Sequence, residues 1–125
     1  MLNVNELVFQ RGEDGSLLSE EVTLETLPNK PTVKVKPLTR GKLMEVFQKS
    51  KSGSTQEKAD ADTEVILEGL VEPVLTAEQL KDIKPQFATA ISMAILSVSL
   101  GISQDEVNKK TQEAIEAQEI DLKKN

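Results

Sequence analysis

The chain has no cysteine, histidine, tyrosine or tryptophan, and only three phenylalanines. Without cysteine there is no disulfide framework and no thiolate metal site. Without histidine the commonest general base and the commonest metal ligand are both missing. Most enzyme classes lose their usual tools, so the expectation is a protein that is not an enzyme and that uses neither cofactor nor metal. The shortage of aromatics leaves the core to Leu, Ile, Val, Met and Ala. Positive charge is also short: the formal net charge of −6 favours solubility and disfavours non-specific attraction to nucleic acid or an anionic membrane. The expected partners are therefore proteins. Residues 1–16 hold no basic region followed by an apolar one, and the expected location is a cytosol.

Pro85 to Gly101 carries no charge in a chain whose residues are 29% charged, so it is the first place to look for a core element. At 100° per residue, Phe87, Ile91, Ala94, Ile95 and Val98 share one arc, while Met93, Leu96 and Leu100 gather on the opposite side. Pro85 suits a first helical turn and Gly101 suits a left-handed end. The run is shorter than the ~20 apolar residues of a membrane span, and Gln86, Thr89, Ser92, Ser97 and Ser99 interrupt it. It reads as a central helix, covered by helices around Leu43 to Phe47 and Val65 to Val71 and by the strand face of Val33 and Val35.

The other elements follow from local signals. Glu6 to Arg11 reads as a strand that turns at Gly12 to Ser16 and returns within Leu17 to Leu27, although Leu17 to Glu21 fits a helical turn equally well. In Thr32 to Lys36, Val33 and Val35 face one way and Lys34 and Lys36 the other, as in a half-buried strand. Thr39 is placed to cap a helix from Arg40 to Lys49 with Leu43, Met44, Val46 and Phe47 inward. Ser50 to Asp62 has no large apolar residue and reads as a mobile loop or a frayed helix start. A helix over Thr63 to Glu72 stops at Pro73. Thr76 and Gln79 form a capping box for Ala77 to Ile83, and Ser103 and Glu106 form another for a helix from Gln104 to about Ile120.

These elements define an α+β chain, mainly helical: a small N-terminal antiparallel β region packed on a bundle of about four to five helices. Residues 1–103 form a single globular domain, with the β region in 1–36 and the helical part in 39–103. Residues 104–125 are a polar C-terminal helix and tail, a candidate mobile element. On that last helix Val107, Ala114, Ile115 and Leu122 make a thin apolar stripe, interrupted by Thr111 and Gln118. Those four residues are the candidate partner-binding set, and edgewise packing on the domain is the alternative.

Other clusters carry less. Asp60, Asp62 and Glu64 start like a calcium loop, but Val65 and Val71 stand where the turn glycine and the bidentate acid belong. Glu20, Glu21 and Glu25 have no apolar pocket to split their acidities into acid and base roles. Lys34, Lys36, Arg40 and Lys42 form a basic cluster without aromatic stacking residues, which argues against nucleic-acid binding.

The succession TVKVKPLTRGKLMEVF, a polar loop, EVILEGLVEPVLTAEQLKDIKP and a neutral helix ending in SLGIS resembles the tail assembly chaperones of long-tailed, siphovirus-type phages and prophages over Thr32 to Ser103. The resemblance implies a small helical protein of the host bacterial cytoplasm that binds the tape measure protein during tail assembly and is absent from the mature virion. Other tail proteins, or a second copy of the chain, are further candidate partners. It also implies a longer form made by programmed frameshifting, for which Lys123 and Lys124 are compatible with slippery adenine-rich codons. The competing expectation is a minor structural component, such as a head-tail connector or tail tube subunit.

Overall fold

A computed structural model describes residues 2–49, 51 and 54–124. These residues form a small antiparallel sheet packed against a mostly helical bundle. Among them one helical turn, α1 (Val4–Leu7), comes first, because the Asn3 side chain accepts a hydrogen bond from the Glu6 N–H at 3.2 Å. The strand expected over Glu6 to Arg11 is therefore absent. The turn beyond it does form: Gly15 sits at φ 83°, and the Gly12 N–H bonds the Ser16 carbonyl at 2.8 Å. Its ladder is limited to one bridge, Arg11 to Leu17. Residues 2–11 are all exposed, and a two-stranded ribbon with no third strand and no buried face has little to hold it.

The sheet lies further along, in the order β1 (Glu20–Thr23), β2 (Thr32–Val35) and β3 (Leu70–Glu72), antiparallel throughout. Val22 pairs with Val33 and both are buried, while Lys34 stands opposite Glu21 on one side and Glu72 on the other. Between β1 and β2 the chain dips into the core at Leu24 and Leu27. It then turns with Asn29 and Lys30 in the left-handed region at φ 65° and 42°. Asparagine is among the few residues that tolerate this conformation.

Helix α2 (Arg40–Lys49) starts where expected, the Thr39 hydroxyl accepting from the Lys42 N–H at 3.3 Å. Only Leu43 and Val46 are buried. Met44 and Phe47, expected inside, are 55% and 52% exposed, because α2 packs chiefly on the next helix rather than over the central one. That next helix, α3 (Thr55–Gly69), reaches well into the polar stretch, with Ser54 accepting from the Glu57 N–H at 3.2 Å and Ala61 turned inward. Ser50, Ser52 and Gly53 of the expected loop lie outside the described residues.

The helix expected over Thr63 to Glu72 ends early, at Gly69, and the chain passes directly into β3. Pro73 pushes Glu72 out of helical geometry. The edge of the sheet takes up the freed backbone, Lys36 N–H bonding the Gly69 carbonyl at 2.8 Å. Gly69 also permits close crossing of the central helix, since a Cβ there would lie 2.5 Å from Ile95 Cγ2.

Helix α4 (Ala77–Lys81) has both arms of its capping box: Gln79 N–H to the Thr76 hydroxyl at 3.1 Å, and Thr76 N–H to the Gln79 side chain at 2.9 Å. It stops two residues short of Ile83. The central helix, α5 (Pro85–Leu100), has the boundaries read from sequence, with Gly101 in the left-handed conformation at φ 70°. Ala90, Ile91, Ala94 and Ile95 are buried together with Thr89, Ser92 and Ser97. The second apolar side is covered only in part, Met93 and Leu96 being half-buried and Leu100 exposed.

Its serines hold the neighbours. Ser99 Oγ accepts from the buried Leu38 N–H at 2.7 Å and donates to the Ile95 carbonyl at 2.8 Å, while Ser92 Oγ donates to Asp62 Oδ1 at 3.1 Å. The last helix, α6 (Gln104–Lys124), starts with Ser103 accepting from the Glu106 N–H at 3.4 Å. It and α3 are the principal neighbours of α5, a place the sequence reading assigned to α2 and α3.

Candidate functional site

The C-terminal stripe divides on inspection. Ile115 is 9% exposed, and the polar Thr111, which interrupts the stripe, is 3% exposed, so this edge of α6 packs within the monomer. The side chains of Val107, Ala114 and Leu122 lie outside those described. Thr111 and Asn108 border a small crevice with Ala90 and Ala94 of α5 and with Leu24 and Glu25 after β1. Asn108 Nδ2 donates to Glu25 Oε2 at 2.6 Å. Ala90 and Ala94 are the small side chains that face α6 here, and the alternation of apolar and polar positions on α6 concealed the packing. Edgewise packing thus accounts for Ile115.

The acidic and basic clusters are engaged structurally. Asp60 accepts from Gln56 at 2.9 Å along one turn of α3, and Asp62 is turned toward α5. Burial pushes the Asp62 carboxyl above the usual carboxylate range, and the Ser92 hydroxyl offsets only part of that. Glu64 pairs with Lys49 across α2 and α3, and that ammonium holds its carboxyl below the usual range. Among the described residues no group of three or more acids, histidines or cysteines is placed to hold a metal ion, and no helix is long and apolar enough to cross a membrane. Glu20 and Glu21 are adjacent in β1 and so point to opposite faces. Of the basic cluster, Lys42 pairs with Glu45 at 3.2 Å, and Lys34 has an acid on either side in the register.

The feature missed from sequence is the surface around α1 and the turn that follows. Leu2, Val4, Leu7, Val8 and Leu18 are more than half exposed and Phe9 is also exposed, which makes this the densest run of open apolar side chains among the described residues. An open cleft of about 740 Å³ lies between this arm and the start of α2. Leu7, Val8, Phe9 and Leu17 supply its apolar lining, and Arg11 and Arg40 stand at it. Arg11 donates to the Gly15 carbonyl at 2.7 Å. Neither guanidinium forms an ion pair among the described residues. The sequence signal was Leu7-Val8-Phe9 itself, an apolar run in a segment with too few partners to be a strand.

Compared with protein-family models, with curated proteins and with solved structures, the chain matches none of them.

Proposed function

We propose that the chain is a tail assembly chaperone of long-tailed phages or prophages, which binds the tape measure protein during tail morphogenesis and is absent from the mature virion. The observation that carries this reading is the succession over Thr32 to Ser103: a strand, Pro-Leu-Thr, a helix, a polar stretch, a helix and short strand ahead of Pro73, a capped short helix and a neutral helix ending at Gly101. Two further features support it. A small acidic chain that leaves a run of large apolar side chains open to solvent has the surface of a protein binder. A tape measure protein is a long helical chain whose apolar stripes need cover until the tail tube surrounds them, and an acidic, soluble binder supplies that cover.

The test is co-expression with a tape measure protein, whose gene the proposal expects beside this one. The proposal expects a soluble complex that co-purifies, and mass spectrometry of purified virions that finds no copy of this chain. Its presence in virions in ring-forming numbers supports the structural-component reading instead. The frameshift expectation is checked on the nucleotide sequence near Lys123 and Lys124, where a slippery heptamer and an overlapping open frame belong.

A further inference from the structure

The cleft beside the N-terminal arm combines two properties on an acidic chain. Leu7, Val8, Phe9 and Leu17 give it an apolar part, and two of the three charged residues that line it are arginines. Leu7 and Val8 are 67% and 56% exposed among the described residues. Scattered exposed apolar residues need no explanation, but a contiguous set lining one cleft does. The chain has 21 acidic residues against 15 basic ones, and Lys42 and Lys49 of α2 are in ion pairs. Arg11 and Arg40 are not, and guanidinium is the side chain best suited to bidentate carboxylate recognition. Glu6 is the one acid lining the cleft, and its carboxylate accepts from Asn3 at 3.5 Å.

We propose that this cleft docks an amphipathic helix of a partner protein, its apolar stripe laid on Leu7, Val8, Phe9 and Leu17 and carboxylates on its flank paired with Arg11 and Arg40. The apolar contact supplies affinity, and the two arginines set register and select acidic over basic flanks. The helical form of the partner rests on the chaperone reading above. The position of the cleft and its preference for acid do not.

The test uses the full chain and two labelled synthetic helices with the same leucine stripe, one flanked by glutamates and one by lysines, titrated by fluorescence anisotropy. The glutamate-flanked helix is expected to bind about tenfold more tightly than the lysine-flanked one. Leu7→Asp and Val8→Ser are each expected to abolish binding, and Arg40→Glu to reverse the preference. These residues lie outside the core, so the variants should keep the wild-type circular dichroism and melting curve, which are recorded alongside.

Failure of both helices to bind, equal binding of the two, or binding unaffected by both Leu7→Asp and Val8→Ser overturns the proposal. So does a wild-type dimer that Leu7→Asp converts to monomer in sedimentation, because the cleft would then be covered by a second copy. Co-purification with the tape measure protein separates the two ideas. If wild type and Leu7→Asp capture it equally, the cleft assignment falls and the chaperone reading stands. If wild type does not capture it yet binds the acidic helix through Leu7 and Arg40, the reverse holds.

Discussion

Residues 85–100 and residues 2–18 each carry seven large apolar side chains, but the first segment runs through the core and the second lies open. Apolar content alone therefore does not build a core here. In α5 the large residues alternate with Ala, Ser and Thr. Buried Ala90, Ala94 and Thr89 allow neighbours to approach closely, and Ser92 and Ser99 satisfy polar groups of α3 and of the segment after β2. The N-terminal arm has no such spacing. Its one helical turn and its glycine turn satisfy their own hydrogen bonds and leave Leu7, Val8 and Phe9 exposed.

Substitutions that treat the two segments alike should separate them. Ile91→Asp puts a carboxylate into a buried apolar site with no counter-ion, a cost of several kcal/mol against a total stability of about 5–15 kcal/mol. Loss of the cooperative thermal transition is the expected result. At the α3–α5 crossing, Gly69→Ala drives a methyl against Ile95 and should cost about 1–3 kcal/mol, and Ile95→Ala alone about 2–5 kcal/mol. The double variant should cost less than the sum, because the second change removes the atoms that the first collides with. Urea titration of the four proteins measures the coupling.

Ser99→Ala strands the buried Leu38 N–H and should cost about 1–2 kcal/mol by the same titration, with the element boundaries unchanged. Asp62→Asn should stabilise slightly at neutral pH. Burial raises the folded-state pKa of this carboxyl above its unfolded value, so its contribution is most favourable at low pH and is lost as pH rises through the folded value. The advantage of the asparagine variant over wild type should therefore shrink in melting curves taken below the carboxylate range. The smallest effect belongs to the arm: Leu7→Asp should change stability by no more than about 0.5 kcal/mol.

Elements marked by local chemistry were readable in advance. Pro85 and Gly101 delimit α5, Thr76 and Gln79 close a capping box, and the alternation of Val33 and Val35 with Lys34 makes a half-buried strand. What could not be read depended on distant partners. Leu70 to Glu72 has apolar content that suits either state, and it becomes a strand because β2, more than thirty residues earlier, offers an edge. The polar start of α3 is helical because Ser54 caps it and Ala61 docks in the core. Met44 and Phe47 sat on the right face of α2 for a neighbour that lies elsewhere. The stripe on α6 was visible as a pattern, yet the burial of Thr111 is decided by the small side chains of α5. The arm's cleft was invisible for a similar reason, since Thr39 and Arg40 at the start of α2 complete its wall.

The turn at Gly101 reverses the chain, and the N–H groups of Gly101 and Ile102 both bond the Ser97 carbonyl, so α6 folds back along α5 until Asn108 meets Glu25, 83 residues earlier. That contact closes a loop that holds β2, α2, α3, β3, α4 and α5. The packing of α6 is chiefly on α5, so the last helix rests on a single neighbour. Its amides should open to exchange before those of the core do. The direction in which the chain returns along its own central helix is thus set at a single glycine.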